Sequence, residues 1–323
     1  MELRKDYILD RWVYLAEERK KRPVEFRREI AEESKTCFFC PGNEALTPPE
    51  IGRVEAGSKG NNKGNSWLIR WFLNKFPAVD ESAGPESANA RTDNTFFTFA
   101  SAYGRHEIVA ETPDHNEQLW DLDRGRLVRL LKVWSERVSE LEKLPGINYV
   151  TVFKNHGREA GTSLVHSHTQ VAAIGIAPPA VLEEISAARK FSSCPYCRIV
   201  DIEKGSFRRC FENSSFAAFT PYASRFNYEI WIFPKRHVRV FGELDRSEFG
   251  DLAEILGKVL EKLKSINAPY NLFLHYSGRD DDLHAHIEVT PRLATWAGFE
   301  FSTGAIINSV TPESAAAFYR GEI

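Results

Sequence analysis

Glu107-Ile108-Val109-Ala110-Glu111-Thr112-Pro113-Asp114-His115 decides the fold, because Glu229-Ile230-Trp231-Ile232-Phe233-Pro234-Lys235-Arg236-His237 repeats its frame. In each, the histidine stands eight residues after the glutamate. The correspondence runs on. Leu122-Asp123-Arg124 and Leu244-Asp245-Arg246 open amphipathic helices reaching about residues 144 and 263, and strands at 148–154 and 271–275 follow. Each copy then arrives at a His-x-His, His166-Ser167-His168 or His284-Ala285-His286, 51 and 47 residues beyond its single histidine. Self-similarity of this kind marks a duplicated unit. Each copy reads as strand, strand, helix, strand, with the helix patterned to cover one face of a sheet. The expected fold is α+β, with two related units, 1–190 and 191–323, in a mostly antiparallel sheet with helices packed on it.

The chain of 323 residues is 42% hydrophobic and 12% aromatic, enough for a buried core. A formal net charge of −3 provides no basic field for sequence-independent nucleic-acid binding. Any phosphate must be met by local donors. No apolar run follows Met1 or approaches the roughly 18 residues of a membrane span, so the expected location is cytoplasmic, with neither membrane nor nucleic acid as a partner. Segments 57–66 and 80–94, rich in Gly, Asn, Ser and Asp, read as loops.

Four of the five cysteines form two pairs, Cys37-Phe38-Phe39-Cys40 and Cys194-Pro195-Tyr196-Cys197, one at the start of each copy. In a long intracellular chain such pairs favour metal or redox use over a disulfide framework. Neither reads as opening the helix of a thioredoxin-like βαβ unit. Each is trailed by histidines in the same order, so two structural zinc sites are expected: Cys37, Cys40, His115 and His166; and Cys194, Cys197, His237 and His284, with His286 the alternative fourth ligand. The bland reading has free or disulfide-bonded thiols and ordinary strand histidines. Cys210 is left over as a small buried hydrophobe.

The chemistry is expected at 155–170, Asn-His-Gly-Arg-Glu-Ala-Gly-Thr-Ser-Leu-Val-His-Ser-His-Thr-Gln. In an extended chain His166, His168 and Gln170 share a face. The loop before them, with Gly157, Gly161, Thr162 and Ser163, can present N–H groups and hydroxyls to a phosphate. The second copy has a shorter loop carrying Asp280, Asp281 and Asp282, which would repel one. If metal takes His166, His168 is left to act. A neutral imidazole whose Nδ1–H is held by a carbonyl presents Nε2 as a nucleophile toward phosphorus. Gln170 and Ser163 can donate to the non-bridging oxygens. The basic run 18–23 reads as a solvated surface turn, or, through Arg19 and Arg22 three apart, as a diphosphate clamp.

These residues together resemble the galactose-1-phosphate uridylyltransferases, duplicated members of the histidine-triad superfamily. The resemblance rests on Asn155-x-Gly157-x3-Gly161-x-Ser163-x2-His166-x-His168-x-Gln170, Pro113-Asp114-His115, Arg19-x2-Arg22-Pro23, Asn74-x-Phe76-Pro77 and Ala297-Gly298-Phe299-Glu300. It implies a ping-pong reaction in which UDP-glucose gives its uridylyl group to His168 and galactose 1-phosphate takes it away. It also implies that Arg19, Arg22 and Asn74 hold the nucleotide, that Asn155, Ser163 and Gln170 contact the phosphates, that Glu300 meets the hexose hydroxyls, and that the site is completed across a homodimer interface. The sequence departs from the enterobacterial pattern at Lys75, where an acidic residue is usual, and at Phe299, where a tyrosine is. Relatives with the same core, the ADP-glucose and diadenosine tetraphosphate phosphorylases, move AMP to inorganic phosphate and give the alternative reading. A zinc-stabilised nucleotide-binding protein without turnover is the third.

Overall fold

The structure, a computed structural model, describes residues 2–5, 12–15, 36–56, 67–93, 96–278 and 281–323, the first two segments as backbone. Arg19, Arg22, the 57–66 loop, part of the 80–94 loop and Asp280 lie outside the described residues. The strands are β1 (Glu2–Lys5), β2 (Trp12–Leu15), β3 (Glu50–Glu55), β4 (Trp67–Leu73), β5 (Arg91–Thr92), β6 (Thr98–Ser101), β7 (Gly104–Ala110), β8 (Tyr149–His156), β9 (His168–Ile174), β10 (Arg209–Glu212), β11 (Phe216–Phe219), β12 (Ile230–Pro234), β13 (Tyr270–His275) and β14 (His286–Pro291). The helices are α1 (Arg124–Leu141), α2 (Pro179–Ala188), α3 (Pro195–Glu203), α4 (Arg246–Ser265), α5 (Gly298–Thr303) and α6 (Pro312–Arg320). The architecture is α+β, and among the described residues its sheets are mostly antiparallel.

The chain divides into two compact units: Met1–Gln118, Val133–Val152 and Ser163–Glu183 in the first; Leu119–Lys132, Phe153–Thr162 and Glu184–Ile323 in the second. The first has strand order β3-β4-β7-β9-β8, using the first half of β8, and a small sheet β2-β1-β6-β5. The second has the order β10-β11-β12-β14-β13, ending on the second half of β8. The repeated frame is realised as built elements: β7 then α1, β8 and β9 in one copy; β12 then α4, β13 and β14 in the other.

Helix α4 forms where its residues require it. Asp245 accepts from the backbone N–H groups of Ser247 (2.7 Å) and Glu248 (2.9 Å), while Glu248 reaches back to the N–H of Asp245 (2.8 Å). This capping box satisfies donors that the first turn would otherwise orphan. Phe249, Leu252, Leu256, Val259 and Leu263, three or four apart, make its buried face. Helix α1 stops at Leu141, short of residue 144, because Pro145 disfavours helix at the residue before it and Gly146 follows at φ +74°. In the first unit, Phe39, Trp67, Phe72, Ile108 and Ala110 form a buried cluster to which Cys37, Phe38 and Leu164 add. The Cys-Phe-Phe-Cys turn is thereby anchored to β4 and β7.

Candidate functional site

Strand β9 begins at His168, so His166 lies in the turn before it rather than on the strand face that the alternation predicted. That difference separates two roles. His166 turns toward the cysteines, its Nδ1 3.5 Å from Cys37 Sγ and 3.7 Å from Cys40 Sγ, with His115 Nδ1 3.5 Å from Cys40 Sγ. The Thr112-Pro113-Asp114 turn sets His115, Asp114 N–H donating to Thr112 Oγ1 (3.1 Å). His166 Nε2–H donates to the Thr112 carbonyl (2.8 Å). Because a carbonyl can only accept, the proton is on Nε2 and the lone pair on Nδ1, facing the sulfurs. The four donor atoms lie within 4.8 Å of one another. A tetrahedral zinc with bonds of 2.0–2.3 Å would space its ligands about 3.5 Å apart. The residues fit a metal, and the carbonyl contact is the outer support that a ligating imidazole needs.

The second set is built likewise. Cys197 Sγ is 3.4 Å from both His237 Nδ1 and His284 Nδ1. His237 Nε2–H donates to Asp282 (2.7 Å), fixing the same tautomer. Burial, with Cys194 beside it, pushes the Cys197 thiol up to about 12. Burial, with His237 and His286 nearby, pushes His284 down to about 4, so its imidazole is neutral at pH 7. Neutral imidazoles beside thiols that become thiolates on meeting a cation are the chemistry of a metal site. Cys194-x-x-Cys197 opens a helix, with Cys194 the N-cap of α3 and Pro195 suited to its first turn. The strands that follow are antiparallel, so no thioredoxin-like βαβ unit results. His286 is not the fourth member of this set; Glu184, His275 and His286 form a third donor group. Glu288 lies beside it, 3.6 Å from His286 Nε2 and 4.0 Å from His275 Nδ1. Although burial opposes its charge, His286, His275 and Arg225 hold its carboxyl down to about 2. Asp281 and Asp282 are engaged by Arg189 and His237 rather than standing as open charges.

Beside the first set is a cleft of about 110 Å³, open to solvent on one side. Its apolar end is made by Phe38, Phe39, Leu46, Pro48, Phe72 and Ile108; Asn74, Lys75, Ser163, His168 and Gln170 make its polar end. Among the described residues the lining includes no carboxylate, and Lys75 is its one lysine or arginine. His168 Nδ1–H donates to the carbonyl of His166 (2.8 Å), which leaves the lone pair on Nε2, and Phe39 packs edge-on to the ring at 5.4 Å. Glu111, buried, accepts from Ser167 and Thr169 on either side of His168, pinning that stretch of chain.

The remaining expected residues sit in the second unit. Asn155 accepts from Asn271 (2.9 Å). Gly157 (φ +82°) and Gly161 (φ +85°) flank a single helical turn, and Thr162 N–H donates to the Gly157 carbonyl (3.3 Å). A Cβ at Gly157 would stand 2.6 Å from Pro269 Cβ. Glu300 accepts from the backbone of Ala297 (2.9 Å) and Ile307 (3.3 Å), holding the short α5, on which Phe299 is exposed. Sequence reasoning missed His106, hydrogen-bonded to Gln170 (3.1 Å), and the Glu184–His275–His286 group with Glu288 beside it. The signal for the latter was available: Glu288 occupies in its copy the place of Gln170.

Comparison with known proteins agrees with this geometry. The family model described as galactose-1-phosphate uridyl transferase, N-terminal domain, matches residues 1–178, and one for a domain of unknown function matches 131–317. An ADP-glucose phosphorylase of Arabidopsis thaliana is 32% identical, over 99% of this chain and 92% of that one. A galactose-1-phosphate uridylyltransferase of Thermotoga maritima is 30% identical, over 98% and 96%. Among solved structures, a uridylyltransferase superposes with a TM-score of 0.81 at 28% identity, covering 99% of this chain and 98% of that one. The Arabidopsis ADP-glucose phosphorylase with bound ADP-glucose does so at 0.76 and 31%, covering 99% of each. With its duplicated frame, its two Cys-Cys-His-His sets and its His-x-His cleft, the chain belongs to the galactose-1-phosphate uridyl transferase family.

Proposed function

We propose that the protein is a nucleotidyltransferase that moves the nucleotidyl group of a nucleoside diphosphate sugar to a phosphate acceptor through His168, and specifically that it transfers UMP from UDP-glucose to galactose 1-phosphate. The observation that carries the reading is the hydrogen bond from His168 Nδ1–H to the His166 carbonyl, which sets the lone pair on Nε2 in a cleft whose described lining has no carboxylate. Nε2 attacks the α-phosphorus; an N–P bond forms, the P–O bond to the departing sugar phosphate breaks, and the imidazole becomes cationic. The acceptor's phosphate oxygen then attacks the same phosphorus, the N–P bond breaks and neutral His168 returns. Gln170 and Ser163 donate to the non-bridging oxygens as charge concentrates there. The apolar end takes the base, and Asn74 and Lys75 meet the phosphates, with Arg19, Arg22, Asn155, Gly161 and Thr162 adding contacts to the nucleotide.

Zinc would be held by Cys37, Cys40, His115 and His166, and in the second unit by Cys194, Cys197, His237 and His284. With four protein ligands and no open position it would supply position rather than Lewis acidity. The reading includes a cytoplasmic homodimer that completes the hexose site with Glu300 and Phe299. The rings exposed on α5, Phe299 and Phe301, support a covered surface there, and light scattering at micromolar protein tests it. A second reading is favoured by the 32% identity to an ADP-glucose phosphorylase: ADP-glucose as donor and inorganic phosphate as acceptor through the same His168. Incubation with UDP-glucose or ADP-glucose and a panel of acceptors separates the two. Galactose 1-phosphate dependent release of UDP-galactose supports the first, and phosphate-dependent release of glucose 1-phosphate with ADP supports the second.

A further inference from the structure

We infer that His106, a residue outside the repeat's metal and nucleophile motifs, is a positioning residue that sets which end of the Gln170 amide faces the reacting phosphoryl group. His106 is buried on β7, and Gln170 is nearly as buried on β9. The two strands pair with Ile108 opposite Gln170 and His106 opposite Ala172, so His106 and Gln170 are diagonal neighbours on one face. Their Nε2 and Oε1 atoms are 3.1 Å apart.

The proton positions follow from the partners. The backbone N–H of Ala78 is 3.1 Å from His106 Nδ1. A main-chain amide can only donate, so Nδ1 is the acceptor and the neutral ring carries its proton on Nε2. An Nε2–H at 3.1 Å needs an acceptor opposite it, and the Gln170 amide supplies its carbonyl oxygen. Turned the other way, that amide would set two donors against each other. Gln170 is therefore locked with its NH2 group away from His106, on a side chain that lines the cleft.

The neighbouring amide is fixed in a related way. Phe76 N–H donates to Asn74 Oδ1 (2.9 Å), which turns the Asn74 NH2 toward His106 Nε2 at 3.3 Å. Both nitrogens are donors in this tautomer, so that contact is not a hydrogen bond, and the Asn74 NH2 is left for a partner that accepts. A phosphate oxygen is such a partner. Without His106, the Gln170 amide could rotate and turn its carbonyl oxygen toward an anion, replacing attraction by repulsion.

This inference rests on the reading that Gln170 donates to the transferring group. The test is a double-mutant cycle on full-length protein, with UDP-glucose and ADP-glucose as donors and single-turnover nucleotidylation as the readout. H106N keeps an acceptor for Ala78 N–H but cannot reach Gln170, whereas H106Q places a donor where Nε2 stands. The expected result is that Q170A slows transfer, H106N slows it about 10- to 100-fold at unchanged donor affinity, and H106Q retains most of the rate. H106N should add nothing in the Q170A background. If H106N and Q170A multiply, or H106N transfers at the wild-type rate, or H106Q is as slow as H106N, the positioning role is wrong. If Q170A itself transfers normally with either donor, the functional reading of Gln170 fails instead, whatever H106N does. Thermal unfolding of each variant identifies a slow rate caused by loss of fold, and in that case the comparison of H106Q with wild type decides.

Discussion

Replacing one cysteine in each donor set should remove the same amount of metal and have unequal effects on catalysis. Cys40 Sγ is 3.5 Å from His115 Nδ1 and 3.7 Å from His166 Nδ1, so Cys40→Ser takes a soft ligand from the centre of the first set. The consequence for chemistry travels one residue pair. The carbonyl of His166 orients the His168 ring through a 2.8 Å hydrogen bond, and with His166 no longer held by metal that carbonyl is free to shift. A displacement of the reacting atom by about 1 Å costs on the order of 10²-fold in rate, or about 2.7 kcal/mol at 1.36 kcal/mol per tenfold. Cys197→Ser opens the second set, none of whose residues lines the cleft. The prediction is one metal equivalent lost in each variant by elemental analysis, a roughly 10²-fold slower single-turnover nucleotidylation in Cys40→Ser, and a near wild-type rate in Cys197→Ser, with both melting earlier. Equal rates in the two variants, or full activity in a Cys40→Ser protein shown to lack one metal, would refute the positional role.

Other consequences are checked more simply. Arg137 donates twice to the fully buried Glu107 (2.8 and 2.9 Å) and once to Glu140, so Glu107→Leu should cost about 3 kcal/mol by leaving a buried guanidinium with Glu140 as its remaining carboxylate. Urea unfolding would show this as a lower midpoint at unchanged slope, and a loss under about 1 kcal/mol would contradict it. Gly157, at φ +82° and ψ 157°, occupies backbone space that is nearly glycine-only. Gly157→Ala should therefore destabilise by at least about 1–3 kcal/mol, with the clash against Pro269 adding to it. Lys75→Glu places the only carboxylate in the described lining and should raise the KM for a phosphate acceptor by about tenfold, as a charge interaction screened near the surface would. Unaltered acceptor KM would remove Lys75 from the phosphate site.

The fold was legible because duplication writes the same instruction twice. One Glu-Ile-x6-His says little, but its recurrence before Leu-Asp-Arg fixed the order of strand and helix, and the two cysteine pairs with trailing histidines selected the same donors that converge in space. His106 was not legible, because its partner Gln170 depends on the β7–β9 register, which spacing does not reveal. Nor was the departure of His166 from the strand face. Alternation places His166 and His168 together, and only the start of β9 at His168 divides them. The base and the acceptor are set by side chains that carry no motif.

The most direct measurement is the identity of the covalent intermediate. Enzyme incubated with UDP-glucose or ADP-glucose in the absence of acceptor, then digested and analysed by mass spectrometry under conditions that preserve phosphoramidates, should carry a nucleotidyl group on His168. It should also exchange labelled glucose 1-phosphate into the donor, and both signals should vanish in His168→Gly. An adduct on another residue, or acceptor-dependent transfer that persists in His168→Gly without any exchange, would contradict the account.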